Sequence, residues 1–307
     1  MLALAARHGR LVLIAGLVAG VALPGLAQVM SRYIPEMVAL IMFLGTLRLS
    51  PRDLRDLRTR LGRACAVVLA LQLALPLALI AVFALFGALN SPLAMALVLL
   101  AAAPSIVGSP NIAALMGLPA APAMQLLVLG TLILPVTILP LFWLMPALGG
   151  FETVLWAALR LLALILVAGG GALALRAALL PNPSEAARTR LDGASVIGLA
   201  VFVIGLMPAL SGAVGSAPLQ LVFWMIVVFV ANFGAQILCY RFGSPLGDAR
   251  GPTALVAGNR NVSLFFAALP GDLMAPLLLF LGCYQVPMFL TPILMGWLYR
   301  SRAGSAA

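Results

Sequence analysis

Three adjacent polar residues, Asn259, Arg260 and Asn261, follow Gly258 in a stretch that is otherwise apolar. An arginine flanked by asparagines brings five guanidinium donors and two amide groups to one place. The chemistry open to such a stretch is hydrogen bonding, ion coordination and charge pairing. A second stretch, Ser109-Pro110-Asn111-Ile112, repeats the pattern of an interruption followed by an asparagine. Gln72, one turn before Pro76, and Thr131 place isolated polar groups in apolar runs. Gln72, Ser109, Asn111, Thr131, Asn259, Arg260 and Asn261 therefore form the candidate substrate- or ion-binding set. Cys65, Cys239 and Cys283 are far apart, with no CxxC and no metal-ligand spacing, and read as small buried hydrophobes. No metal site and no cofactor are expected.

The elements that must position these groups are membrane helices. Of 307 residues, 64% are hydrophobic and only 8% charged, and the mean hydropathy is +1.17; soluble domains run near one-quarter charged. The pattern predicts an all-α integral membrane protein with ten spans, about 11–29, 33–49, 64–87, 92–117 and 122–146, then 153–178, 193–211, 218–240, 252–269 and 273–299. Residues 11–29 resemble a signal h-region but are long enough to span, and read as the first helix. Pro104, Gly108 and Pro110 interrupt the fourth span, and the Gly258–Asn261 stretch interrupts the ninth. Such breaks persist in a bilayer only where protein or a polar cavity satisfies the freed backbone groups. Unwound segments are expected near 104–110 and 257–261.

All eighteen basic residues are Arg. With both termini in the cytoplasm, fifteen of them fall inside: Arg7, Arg10, Arg48, Arg52, Arg55, Arg58, Arg60, Arg63, Arg176, Arg188, Arg190, Arg241, Arg250, Arg300 and Arg302. Arg32 and Arg160 fall outside and Arg260 within the membrane. That is the positive-inside pattern, so the net charge of +10 marks topology and nucleic acid is not an expected partner. The expected location is the cell inner (plasma) membrane, multi-pass.

The halves resemble each other. Leu129-Gly130-xxxx-Pro135-xxxx-Pro140 recurs as Leu281-Gly282-xxxx-Pro287-xxxx-Pro292, and Ser109–Ile112 parallels Asn259–Val262. Five spans in each half require opposite orientations, so residues 1–150 and 151–307 are expected to be inverted five-helix repeats, with a site at the midplane.

The run Met42-Phe43-Leu44-Gly45-Thr46-Leu47-Arg48-Leu49-Ser50-Pro51-Arg52-Asp53-Leu54-Arg55 resembles the signature closing the second helix of the bile acid:sodium symporter family, within the bile/arsenite/riboflavin transporter superfamily. The broken fourth and ninth spans resemble that family's two crossing helices, and Gln72 with Pro76 resembles a glutamine near its second sodium site. The resemblance implies panel and core domains, discontinuous helices 4 and 9 crossing at their unwound centres, and alternating access. The implied cargo is a small organic anion or related metabolite. Where the family has a carboxylate before the ninth-helix break, this chain has Val256. Arg260 replaces a glutamine beside the crossover, and Met124 and Val128 fall where hydroxyl ligands are expected. The coupling ion is therefore left open, with transport expected to be largely independent of sodium.

Three readings of Arg260 follow: a built-in cation in place of sodium, donating to carbonyls freed by a broken helix; a partner for an anionic substrate; or a side chain snorkelling to an interface. Asn111 and Asn261 either cap helix ends or coordinate a ligand, and are expected near one another. Gln72 either bonds a neighbouring helix or touches ligand. Thr131 and Thr137 are expected to bond their own helix backbone. The Arg-rich loop 52–63 sets topology or meets anionic lipid headgroups. Trp143, Trp156 and Trp297 read as interfacial anchors, while Trp224 sits deeper. An intramembrane enzyme needs acid–base groups or a metal; the only histidine, His8, is in the N-terminal tail and no core span holds Asp or Glu. The function expected is secondary transport, with a solute-binding membrane sensor or channel-like protein as the alternative.

Overall fold

The computed structural model describes residues 1–49, 61–181 and 183–300. The end of the second-helix signature and nearly all of the Arg-rich loop lie outside these, as does Arg302, so the loop's two expected roles fall outside the described residues. Described residues form helices and turns, with no strand among them. In chain order the helices are α1 (Leu2–Arg7), α2 (Gly9–Ala22), α3 (Pro24–Ser31), α4 (Ile34–Leu47), α5 (Leu61–Leu85), α6 (Pro92–Ala102), α7 (Ser109–Leu115) and α8 (Ala120–Trp143). There follow α9 (Phe151–Leu179), α10 (Glu185–Ser216), α11 (Pro218–Phe242), α12 (Arg250–Gly258), α13 (Ser263–Ala268), α14 (Gly271–Leu294) and α15 (Gly296–Arg300).

Six of these, α5, α8, α9, α10, α11 and α14, are long and apolar enough to cross a membrane. The chain is a multi-pass α-helical membrane protein. The expected first span is not one straight helix: α2 and α3 meet at an angle of 104°. The cause is local. Leu23 precedes Pro24, whose ring drives the preceding residue out of the helical region, and Leu23 sits at φ −121°, ψ 70°. The expected second span is the 14-residue α4, about 21 Å long at 1.5 Å per residue and short of a roughly 30 Å hydrocarbon core. The expected fourth and ninth spans are broken, at 103–108 and 259–262; Ser109–Pro110 and Ala257–Gly258, expected to be unwound, are helical.

Contacts divide the chain into two compact units, each drawn from both halves of the sequence. One comprises 1–50, 159–222 and 263–282; the other 51–158, 223–262 and 283–307.

In the first unit α10 packs against α1, α2, α3 and α4. Glycines permit the approach. A Cβ on Gly16 would lie 2.8 Å from the Ala200 carbonyl oxygen, and one on Gly20 would lie 2.3 Å from Met207 Cγ. Gly282 plays the same part beneath Leu210. At one end the buried Arg176 guanidinium donates to the Leu47 carbonyl, at the close of α4. Next to it in sequence, Arg48 pairs with Asp192 at 2.7 Å.

In the second unit, Ala64, Val68, Ala113, Ala123, Leu126, Leu255 and Val256 form an apolar cluster where α5, α7, α8 and α12 meet. Val256, in the place where the family resemblance puts a carboxylate, is thus a core residue, 2% exposed. Trp224 is buried as well, edge-on to Phe223, whereas Trp143, Trp156 and Trp297 are well exposed.

Candidate functional site

The two breaks meet in the second unit. Pro104 has no N–H to continue α6, and it pushes Ala103 into extended backbone (φ −64°, ψ 148°). The freed segment pairs with the second break as a single antiparallel bridge between Ser105 and Arg260. Ile106 N–H donates to the Asn259 carbonyl (3.1 Å) and Asn261 N–H to the Pro104 carbonyl (2.7 Å). Backbone groups that each helix loses are thereby satisfied by the other break. This pairing is what buried, non-helical backbone requires in the absence of water.

Arg260 sits at the centre, 4% exposed. Its Nη2 donates to the Leu71 carbonyl (2.8 Å) and the Ala101 carbonyl (3.0 Å). Both acceptors are available for stated reasons. Ala101 lies in the last turn of α6, whose final carbonyls have no intrahelical partner. Leu71 lies in a π-helical turn of α5, Ala70–Ala74. Pro76, five residues on, has no N–H to close on it. The guanidinium also lies at the negative end of the α6 dipole, where a cation is favoured. A side chain so buried and bonded to protein carbonyls does not fit the snorkelling reading. Donation to freed carbonyls matches the first reading, but the carbonyls belong to α5 and α6 and not to the ninth-span helix.

That helix, α12, is closed by neutral groups. Its terminal Gly258 carbonyl accepts from Asn232 Nδ2 (2.5 Å) and from the Tyr284 hydroxyl. Tyr284 in turn accepts the Arg260 N–H at 2.8 Å, so one phenol bridges the break. Asn259, fully buried, donates back to the Leu255 carbonyl (2.9 Å) and accepts from Thr291 Oγ1 (3.2 Å). Gln236 Nε2 donates to Asn232 Oδ1 (2.7 Å), and the Tyr299 hydroxyl to Gln236 Oε1 (2.8 Å). A Cβ on Gly258 would lie 2.3 Å from the Asn232 carbonyl oxygen, so glycine is required there.

The remaining candidates separate. Ser109 is fully buried and joined to Ser105 through their hydroxyls at 2.6 Å. Gln72 is 1% exposed and spans to α8, donating to the Gly130 carbonyl (2.9 Å) and Thr137 Oγ1 (3.3 Å). Thr131 donates to the Leu127 carbonyl of its own helix at 2.8 Å, and Thr137 to Leu134 at 3.2 Å. Asn111 is exposed on α7, whose N-cap is Gly108, so it is not the cap. The backbone of Asn261 is held in the bridge. Asn232, Gln236, Tyr284, Thr291 and Tyr299 were not among the sequence candidates. Asn232 and Gln236, one turn apart in an apolar span, carried the same signal that singled out Gln72.

No protein-family model matches the chain, and no curated protein matches it.

Proposed function

We propose that this protein is a secondary transporter that moves a small organic anion or related metabolite by alternating access, in the manner of the bile acid:sodium symporters its second-helix and crossover motifs resemble. The observation that carries the reading is the back-to-back pairing of two helix breaks around a buried arginine. Paired interruptions in matching places of two sequence halves are the mark of a transporter site. Ten crossings follow if α2–α3, α4, α6–α7 and α12–α13 each count as one beside the six long helices, giving two inverted five-helix repeats. The two compact units support panel and core domains: one holds spans 1, 2 and 7 and most of 6, the other spans 3, 4 and 5 and most of 8, while spans 9 and 10 are each divided. Fifteen of eighteen arginines support cytoplasmic termini in a plasma (inner) membrane.

Arg260 stands in for a coupling cation. Losing a carboxylate at Val256 weakens any cation site, and a guanidinium bonded to the same region repels a metal ion further. Transport is then largely independent of sodium. Uptake into proteoliposomes in sodium against choline buffer of equal ionic strength tests this, with equal rates expected. A strong, saturable sodium requirement overturns it. Binding of solute with no flux returns the chain to the sensor or channel-like alternative.

A further inference from the structure

The Arg260 guanidinium is only half used. Both bonds it makes to the protein leave from Nη2. Its Nε, buried, has no acceptor among the described residues. Nor does a carboxylate among the described residues pair with it. The ion pair among the described residues is Arg48–Asp192 in the other unit, and Arg260 makes none. Two carbonyl dipoles lower the energy of a buried cation without neutralising it, and an uncompensated buried charge is costly.

The surroundings add donors. In the bridge that joins them, Ser105 and Arg260 are opposite residues flanked by the two backbone bonds, so their side chains leave on the same face. The Ser105–Ser109 pair shares one hydroxyl proton between two oxygens at 2.6 Å. When Ser105 donates, the proton of the fully buried Ser109 is left over. The next residues, Ile106, Val107 and Gly108, are half-buried, so the break opens on one side.

We propose that this face of the bridge binds a small monovalent anion, a halide or a carboxylate, on the open edge of Arg260 with Ser109 as a second donor. One formal charge calls for one in return, and the burial of Arg260 calls for a compact partner. The inference goes beyond transport, because a resident anion would neutralise the site whether or not cargo moves.

The test is thermal unfolding of the purified protein in choline salts of equal ionic strength: morpholinoethanesulfonate, a bulky sulfonate, then chloride and acetate. In the wild type, chloride or acetate is expected to raise Tm saturably above its value in the sulfonate. The shift vanishes in Arg260→Gln, and in Ser109→Ala it needs several-fold more anion. If Arg260→Gln does not fold, Ser109→Ala carries the test. A chloride response without an acetate response identifies a resident halide; the reverse identifies the carboxylate of an organic acid. Either supports the site. Equal Tm in all three salts, or shifts unchanged in the variants that fold, overturns it. Choline throughout keeps sodium out, so failure here leaves the transport reading standing. A saturable shift in a protein that transports nothing removes only the transport reading.

Discussion

Gly16 and Gly20 in one unit, and Gly130 and Gly258 in the other, all bring a helix close to a neighbour, but they admit different chemistry. Gly16 meets the backbone of Ala200 and Gly20 the side chain of Met207. Gly130 makes room for the amide of Gln72, and Gly258 for Asn232 and Gln236. The repeated Leu-Gly-xxxx-Pro motif shows the same split: Gly282 packs on Leu210, Gly130 on Gln72. Helices in lipid associate through close packing of small residues or through interhelical hydrogen bonds. At these glycines the first unit relies on the former, with Arg176–Leu47 and Arg48–Asp192 as polar contacts at one end. The second relies on the latter, which tolerates unwound backbone at its centre. In the second unit polar groups collect where helices are interrupted.

The two units differ most at Arg260. Arg260→Gln removes the donor shared by Leu71 and Ala101 and is expected to cost about 3 kcal/mol, at roughly 1–3 kcal/mol per unsatisfied buried group. Uptake should fall to background, and Arg260→Lys should not fully restore it, since an ammonium lacks the planar fork. Uptake and thermal unfolding measure both effects. Full activity in Arg260→Gln would remove the distinction between the units.

Next in size is Gly16→Val in the first unit, expected to destabilise by about 2 kcal/mol through overpacking. Gly25→Ala, where a Cβ meets nothing within 4 Å, is the matched control with little change in Tm. Tyr284→Phe should cost about 1 kcal/mol and leave the Arg260 N–H and one Gly258 bond unserved. Its uptake is expected to fall further than its stability, because the phenol positions the arginine. Smallest is Thr131→Val, within about 0.5 kcal/mol of wild type and with unchanged uptake, because its hydroxyl bonds only its own helix. A loss of uptake in Thr131→Val would return that residue to the site.

Both breaks were legible because Pro104 and the Gly258–Asn261 stretch act through local backbone chemistry. Arg260 was legible as a charge out of place, but its acceptors were not. They arise from a π turn before Pro76 and from the end of α6, features of helix geometry that no residue type announces. Asn111 was singled out by symmetry with Asn261, yet symmetry of sequence order does not fix which way a side chain faces on a short helix. Leu23–Pro24 carried a readable signal for the bend at α2–α3, outweighed in the reading by the length of the apolar run. Tyr284 and Thr291 were hidden for a different reason: a phenol and a hydroxyl are common in apolar spans, and only the partner 24 to 32 residues away gives them a role.

The bridge between the breaks also sets a schedule for biogenesis. Pro104 and Ile106 find their backbone partners in Asn261 and Asn259, a separation of roughly 150 residues. At about 5–20 residues per second of synthesis, the first break waits on the order of 10–30 s for the second to emerge. During that interval its carbonyl and amide sit at the membrane without their final partners, and the Ala101 and Leu71 carbonyls wait for Arg260 as well. The second unit cannot close until the ribosome has made most of the chain, so the first break must pass that interval on provisional partners, water among them.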